Sequence, residues 1–223
     1  MQARLLDTRI TRQARLAYLL YLPPGYEQQA KWPLLLFLHG GGERGSDLGL
    51  LARHGIPRLL AEGQRFPFVV AAPQCPLEHR WSDLLETLAA LVDALVDGQR
   101  VDARRVYLTG MSQGGCGAWH LAMRCPHLFA ALAPVCGYRP YVYGYREKAL
   151  ALRDLPVWAF HGLLDEVIDP GETDKMVAAL REHGADVRYT ALPKANHRLC
   201  WERVYAMPEL YEWLLAQSRR ASA

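Results

Sequence analysis

The amino-acid sequence predicts an α/β fold with a mostly parallel central sheet, and three observations support this prediction. After about residue 34, short apolar runs bounded by Gly, Pro or Asp alternate with segments of helical periodicity. No internal repeat, low-complexity segment or linker divides the 223 residues. Hydrophobic residues make up 51% of the chain, which is enough to bury both faces of such a sheet. We therefore expect a single domain over residues 1–223.

The predicted elements follow one another in the order that a parallel sheet requires. The apolar runs at 34–39, 68–72, 106–110, 132–135 and 157–161 have the composition of buried strands. Helical patterns cover 48–62, 83–97, 113–124 and 171–183. Two further strands are expected at 15–22 and 187–192, and the chain closes with an amphipathic helix at 201–217. Helices between parallel strands supply the crossovers, so the helices are expected on both faces of the sheet.

Composition and charge exclude several classes of function. The formal net charge is only +3, and much of the basic excess lies near the two ends, at Arg4, Arg9, Arg12, Arg15, Arg219 and Arg220. A nucleic-acid footprint needs a clustered basic face, so no nucleic-acid partner is expected. No stretch is long and apolar enough to span a membrane, and the arginine-rich start lacks the pattern of a secretory signal. A cytoplasmic protein is expected, and the five scattered cysteines, without a CxxC pair, predict neither disulfides nor a zinc site.

The sequence Gly110-Met111-Ser112-Gln113-Gly114 stands between a predicted strand and a predicted helix. In that context GxSxG is a nucleophile elbow, a sharp turn that presents the serine hydroxyl above the carboxyl edge of the sheet. Glycine on either side of the turn lets the strand and the helix approach without a Cβ clash. Ser112 is therefore the candidate nucleophile, and it needs a base and an orienting acid.

Both partners occur later in the chain, in the order serine, acid, histidine that α/β-hydrolases use. Asp165 lies in the turn after the run at 157–161 and is the candidate acid, with Glu166 or Asp169 as alternatives. His197 follows the last predicted strand, in a loop before the final helix, and is the candidate base. Each residue also has a structural interpretation, as a turn residue or as an ordinary loop histidine.

A glycine-rich loop, "HGGGERG" at 39–45, follows the run at 34–39. It lacks the GxGxxG or Gly-Lys-Ser/Thr patterns of phosphate sites, so it is interpreted as an oxyanion loop. One N–H donor is expected from Gln113, and the other from Gly41 or, less favoured, Gly42. His39 is interpreted as a residue that shapes this loop through hydrogen bonds. Glu43 and Arg44 are expected to form an internal ion pair that holds the loop, and steering of a polar substrate is the less favoured alternative.

Five blocks together resemble the compact esterases and predicted peptidases of the α/β-hydrolase superfamily, near the phospholipase/carboxylesterase and dienelactone hydrolase-like groups. The blocks are "FLHGGGERGSD", "VVAAPQCP", "GMSQGGCGAW", "PVWAFHGLLDEVI" and "PELYEWLLAQ", and the similarity covers residues 21–217. The resemblance implies an α/β-hydrolase fold with Ser112 as nucleophile, Asp165 as acid and His197 as base. It also implies hydrolysis of carboxylic esters, often with short acyl or aryl groups.

The chain departs from these relatives after the run at 132–135, where it has "CGYRPYVYGYREK". The four tyrosines of this segment form either an aromatic rim over the site or the packing of a short surface loop. Trp81, Trp119 and Trp201 are expected in the core rather than in an acyl pocket. The short connection between 135 and 157 leaves little material for a lid, which favours small esters over long-chain lipids.

The predicted chemistry is acyl transfer through an acyl-enzyme, and it needs no metal or organic cofactor. The predicted partner is a small-molecule ester; the oligomeric state is left open. A peptidase or thioesterase with the same three residues is the nearest alternative. A non-catalytic binding protein on a hydrolase scaffold is a further alternative, although it would be expected to lack one of the three.

Overall fold

The computed structural model describes residues 13–219. Seven strands are present in this part of the chain: β1 (Tyr18–Tyr21), β2 (Trp32–Leu38), β3 (Val69–Pro73), β4 (Val101–Met111), β5 (Ala131–Val135), β6 (Val157–Gly162) and β7 (Val187–Leu192). The α-helices are α1 (Gly55–Ala61), α2 (Leu85–Gly98), α3 (Gln113–Arg124), α4 (Tyr145–Lys148), α5 (Gly171–Glu182), α6 (His197–Ala206) and α7 (Pro208–Leu215). Short 3₁₀ helices complete the connections, among them Gly41–Glu43, Leu48–Arg53 and Trp81–Asp83.

All seven strands form one sheet in the order β1-β3-β2-β4-β5-β6-β7. β1 pairs antiparallel with β3, and every other pair is parallel. In the middle of the sheet Leu36 is level with Ala71 of β3 and with Leu108 of β4. The carboxyl ends of β4, β5 and β6 therefore lie side by side at one edge, where open parallel sheets bind their ligands.

Helices cover both faces of the sheet, as the sequence predicts. One face carries α2, α3 and α5, and side chains such as Leu36, Leu88 and Trp119 pack there. The opposite face carries α1, α6 and α7, and its core includes Phe37 and Tyr205. Every residue of β2 is buried, because a central parallel strand has no solvent-facing side.

Two predicted helices differ from the structure. The helix predicted at 48–62 is divided into a 3₁₀ helix and α1, because the chain turns at Gly55, which has φ of 62° and lies against the ring of Phe37. The helix predicted at 201–217 begins earlier, at His197, and is broken before Pro208, which lacks the N–H needed to continue a helix.

The connection between β5 and β6 contains only the four-residue helix α4 and a short 3₁₀ helix, Ala149–Leu152. The site at the sheet edge is therefore covered by little added structure. Within residues 13–219, none of the helices combines the length and the apolar character that crossing a bilayer requires.

Candidate active site

Ser112 stands at the sharp turn between β4 and α3, with φ of 55° and ψ of −122°. This conformation is uncommon for a residue with a side chain and is typical of a nucleophile held in a strained turn. A Cβ on Gly110 would lie 2.3 Å from the carbonyl oxygen of Gly114, and a Cβ on Gly114 would lie 2.0 Å from the oxygen of Leu38. The two glycines of the motif are thus required for the close approach that the sequence predicts.

Asp165 and His197 are both positioned by local backbone hydrogen bonds. Asp165 follows β6, and its Oδ1 accepts the N–H groups of Val167 and Ile168, each at 2.9 Å. His197 is the first residue of α6 rather than part of a preceding loop. The side chain of Asn196 caps this helix by accepting the N–H three residues further on. The cap fixes the helix start and hence the direction of the imidazole.

The structure brings Ser112, His197 and Asp165 into one hydrogen-bonded line. His197 Nε2 lies 2.9 Å from Ser112 Oγ, and His197 Nδ1 lies 2.6 Å from Asp165 Oδ2. A carboxylate can only accept, so Nδ1 carries the proton and Nε2 is left to accept from the serine. Of the alternative acids, Glu166 is exposed and Asp169 accepts the N–H of the residue that begins α5. The geometry fits Asp165 as the acid.

A second histidine, His161, contacts the same carboxylate, and the sequence analysis did not identify it. His161 Nε2 lies 3.1 Å from Asp165 Oδ2 and 3.0 Å from the carbonyl oxygen of Ile168, so it donates. Its Nδ1 accepts from the hydroxyl of Thr173 at 2.7 Å. Burial lowers the pKa of His161, which keeps the ring neutral. The signal available in the sequence was a histidine at the end of a buried strand, four residues before the acid.

The two predicted oxyanion donors are neighbours in the structure. Gln113 begins α3, where the first N–H groups of a helix have no acceptor within the helix. Gly41 begins the 3₁₀ helix Gly41–Glu43, and a Cβ on it would lie 3.7 Å from Oε1 of Gln113. The preceding Gly40 is close to Ser112, since a Cβ on it would lie 3.6 Å from the serine Cβ. The glycine loop therefore passes directly beside the nucleophile.

His39 fixes the glycine loop from below. Its Nδ1–H donates to the carbonyl of Gly40 at 2.6 Å, and its Nε2 accepts the N–H of Cys75 at 2.9 Å. The carbonyl oxygen of His39 accepts from the indole N–H of Trp81 at 3.0 Å. Burial lowers the pKa of His39 to about 4, so the ring is neutral at pH 7. These contacts agree with the loop-shaping role inferred from the sequence.

The ion pair expected between Glu43 and Arg44 is not formed, and the prediction is wrong. The carboxylate of Glu43 is buried and points inwards, 3.8 Å from His39 Nδ1 and 3.7 Å from His54 Nε2. Arg44 points the other way and donates to two backbone carbonyls of the loop 76–80, at 3.2 and 3.3 Å. Glu43 is the last residue of the 3₁₀ helix, and Arg44 follows it with an extended backbone, so the two side chains face different directions.

The tyrosine segment forms a small aromatic cluster near the site. The rings of Tyr138 and Tyr141 stack with centroids 5.3 Å apart and an angle of 22°. The guanidinium of Arg139 lies over Tyr141 at 4.9 Å and over Tyr145 at 4.8 Å. Tyr143 is 99% exposed and takes no part. The segment thus packs on itself, and Tyr138 and Tyr141 line one cavity together with Gln113. The aromatic rim over the site stays a prediction.

The three tryptophans singled out in the sequence have different environments. Trp81 and Trp119 are buried, as expected for core residues. Trp201 is half-buried, and its ring packs edge-on against His197 with centroids 4.9 Å apart. Trp201 therefore contacts the proposed base, and the prediction that it is a buried core residue is wrong.

One group of potential metal ligands coincides with the site. Within the described part of the chain, ligand atoms of Cys136, Asp165 and His197 lie within 4.8 Å of one another. Burial raises the pKa of the Cys136 thiol well above its ordinary value, so the sulfur is protonated and a poor ligand. Asp165 and His197 are already bonded to each other. The chemistry of the group fits hydrogen bonding better than metal binding.

Comparison with known proteins places this geometry in context. A family model described as phospholipase/carboxylesterase matches residues 66–214. An uncharacterized secreted protein of Arthroderma benhamiae is 27% identical in a match that covers 77% of this chain and 22% of that protein. The bifunctional acetylxylan esterase/xylanase XynS20E of Neocallimastix patriciarum is 28% identical, over 67% of this chain and 22% of its own. The chain thus spans about a fifth of the length of these two relatives.

A solved structure extends the comparison to the fold. The crystal structure of a thermostable esterase superposes with a TM-score of 0.79 at 33% identity, and the match covers 92% of this chain and 60% of that chain. The fold of residues 13–219 is accordingly the α/β-hydrolase fold, and the resemblance drawn from the five sequence blocks is confirmed.

Proposed function

Because the chain belongs to the phospholipase/carboxylesterase family, we propose that it is a serine carboxylesterase that cleaves short-chain or aryl esters through Ser112, His197 and Asp165. The observation that carries the proposal is the position of His197, whose two ring nitrogens reach the serine hydroxyl and the buried carboxylate at 2.9 and 2.6 Å. A serine hydroxyl is a weak nucleophile at neutral pH, and this arrangement supplies both the base and its orienting acid.

The reaction begins when Ser112 Oγ attacks the ester carbonyl and His197 Nε2 takes its proton. Asp165 keeps the other ring proton on Nδ1 and stabilises the imidazolium that forms. The oxygen of the tetrahedral intermediate becomes negative beside the N–H groups of Gln113 and Gly41. Each such donor contributes about 3 kcal/mol to stabilisation of the transition state.

The alcohol leaves with the proton that His197 holds, and the acyl group stays on Ser112. A water molecule then takes the place of the alcohol, gives a proton to the same imidazole and attacks the acyl-enzyme. Collapse of the second intermediate releases the acid and restores the serine. The short connection after β5 supports small esters, because it offers no large apolar cover for a long acyl chain.

The test is hydrolysis of p-nitrophenyl esters of increasing acyl length by the wild type and by Ser112→Ala. We expect activity that falls with acyl length and that is reduced at least about 10⁴-fold in the variant. Ser218→Ala, at an exposed serine near the end of the described chain, is the matched control and should keep wild-type activity.

Three results would contradict the proposal. Turnover retained in Ser112→Ala would exclude this serine as the nucleophile. A preference for long-chain triglycerides would exclude the small-ester assignment. Faster cleavage of thioesters or peptide amides than of matched oxygen esters would favour the thioesterase or peptidase alternative.

A further inference from the structure

A cavity of about 170 Å³ lies beside the proposed nucleophile. Its lining begins at Gln113, the residue after Ser112, and follows the first turns of α3. His120 of α3 also lines the cavity. The other lining residues come from the loop before α2, among them Arg80 and Trp81, and from the tyrosine segment, among them Tyr138 and Tyr141. The cavity therefore adjoins the residue that follows Ser112 in the chain.

The walls of the cavity are flat, aromatic and fixed. Tyr138 and Tyr141 stack on each other, and the ion pair of Arg139 with Glu172 at 3.2 Å holds the segment that carries them against α5. Trp81 is buried and packs closely on α3. A Cβ added at Gly117 of α3 would lie only 2.5 Å from the Cβ of Trp81. A cavity of about 150 Å³ is large enough to hold a benzene ring.

The electrostatic character of the cavity is positive. Arg80 lines it, and no aspartate or glutamate does. Arg80 also has no ion-pair partner among residues 13–219, whereas other arginines of this surface, such as Arg139, have one. The second basic side chain, His120, is neutral at pH 7 because burial and the charge of Lys148 lower its pKa. Within the described part of the chain, Arg80 is therefore an exposed arginine that lines an aromatic cavity and has no ion-pair partner.

We propose that this cavity binds an aromatic ring of the substrate and that Arg80 selects rings that carry a carboxylate or another hydrogen-bond-accepting oxygen. A guanidinium offers several N–H donors in a plane and pairs with such oxygens. The proposal rests on the serine esterase function, because it assigns the part of the ester that lies next to Ser112. It makes Arg80 a specificity-determining residue rather than a part of the catalytic machinery.

The charge of the ring can be varied while the ester bond stays the same. Phenyl acetate, 4-carboxyphenyl acetate and 4-(trimethylammonio)phenyl acetate have neutral, anionic and cationic rings. We expect Arg80→Gln to lower kcat/KM for the anionic ester about two- to fivefold and to leave the neutral ester unchanged. An exposed charge pair has an effect of this size. The ratio of variant to wild type cancels the different leaving-group reactivities of the three esters.

A second pair of substrates locates the ring in the acyl or the alcohol part of the ester. Methyl benzoate and monomethyl terephthalate carry the neutral and the anionic ring on the acyl side. The proposal holds if the Arg80→Gln effect appears in either pair, and the pair in which it appears identifies the substituent that the cavity receives. Arg80→Lys should retain part of the preference, and Arg153→Gln, an exposed arginine at the opposite end of β6, should retain all of it.

Two results would overturn the proposal, provided that the variant still hydrolyses phenyl acetate. In the first, Arg80→Gln lowers kcat/KM equally for all rings; in the second, it changes kcat/KM for none of them. If the wild type hydrolyses no ester, the proposed function fails, and the cavity is then tested by binding alone. Terephthalate titrated into Ser112→Ala should change the intrinsic tryptophan fluorescence of the protein, because Trp81 lines the cavity. This change should be lost in the double variant with Arg80→Gln. No binding to the single variant would overturn the cavity assignment as well.

Discussion

At the scale of single residues, the most informative atom of the site is Asp165 Oδ2, which faces two imidazoles. His197 approaches it at 2.6 Å and His161 at 3.1 Å, and both side chains are buried. Two acceptors determine the tautomer of His161, because the Asp165 carboxylate and the Ile168 carbonyl both face Nε2 and place the ring N–H there. The carboxylate of Asp165 therefore accepts hydrogen bonds both from the proposed base, His197, and from His161, which is not bonded to the serine.

This arrangement predicts a positioning role for His161. His161→Leu removes one donor, so the charge of Asp165 acts more strongly on His197 and stabilises its protonated form. We expect kcat to fall about tenfold, in line with the loss of one hydrogen bond to a charged group, and KM to change little. The acid limb of the kcat/KM profile should move to higher pH, because the base must be neutral to accept the serine proton.

The control is His161→Gln, whose amide N–H can replace the donor at Nε2 and should restore most of the activity and the original pH profile. A merely structural role for His161 would lower activity without moving the acid limb. An unmoved limb in a folded His161→Leu enzyme would therefore contradict the positioning role.

The sequence pointed to Ser112, Asp165 and His197 as candidates because motif and chain order are visible along a single chain. His161 was missed for a physical reason. Its importance comes from the curvature of the turn after β6, which brings a strand residue back onto the acid four positions later. Only the folded backbone reveals that contact.

At the scale of elements, the loop between β2 and the 3₁₀ helix Gly41–Glu43 is the part of the proposed site that depends on backbone alone. Gly41→Pro removes the N–H that we assign to the oxyanion. Gly40, the residue before it, has φ of −76° and ψ of −171°, an extended conformation of the kind that a residue before proline adopts. Proline is also tolerated at the first position of a helical turn.

We expect Gly41→Pro to lower kcat about 10²–10³-fold, as loss of one oxyanion donor does, while the protein stays folded. Gly41→Ala keeps the N–H, and its Cβ would make an ordinary contact at 3.7 Å, so its activity should stay near that of the wild type. The measurement is kcat for p-nitrophenyl acetate, with circular dichroism as the test of folding. Wild-type kcat in a folded Gly41→Pro enzyme would transfer the donor role to another residue, with Gly42 as the first alternative.

The elements themselves were predictable to different degrees. The buried strands were found because central parallel strands are continuous apolar runs, and the helix at 113–124 was predicted with the bounds that the structure has. β4 begins at Val101, five residues before the predicted strand. The prediction missed this first part because it is polar and because its pairing with β2, from Val101 to Trp32, has an irregular register. The start of α6 at His197 depends on the cap at Asn196, which the hydrophobic pattern does not show.

At the scale of the whole molecule, the sheet order explains why three distant segments meet. β4, β5 and β6 are adjacent and parallel, so the turns that follow β4 and β6 open at the same edge. α6 follows β7 in the chain, and its first residue, His197, lies at that edge beside Ser112. The sequence predicted the parallel sheet but not its strand order, because order depends on which crossovers pass over which face. The single-domain organisation of residues 1–223 and the cytoplasmic location stay predictions.

Burial of neutral histidines also makes the stability of the whole molecule depend on pH. The pKa of His39 is lowered to about 4, against about 6.5 in an unfolded chain. Between these two values the unfolded state binds a proton that the native state does not, so stability falls as pH decreases through this range. The titration of His39 alone lowers the free energy of unfolding by about 2 kcal/mol between pH 7 and pH 5.

The measurement is urea unfolding of the wild type and of His39→Gln at pH 7 and pH 5. The glutamine can still accept the N–H of Cys75 but does not titrate, so the variant should be less stable at pH 7 and should lose about 2 kcal/mol less than the wild type on acidification. His127→Gln, at an exposed histidine, should keep the wild-type dependence. Equal losses in wild type and His39→Gln would show that other groups dominate acid unfolding. A reduced loss would locate much of the acid sensitivity of the molecule directly beneath the glycine loop.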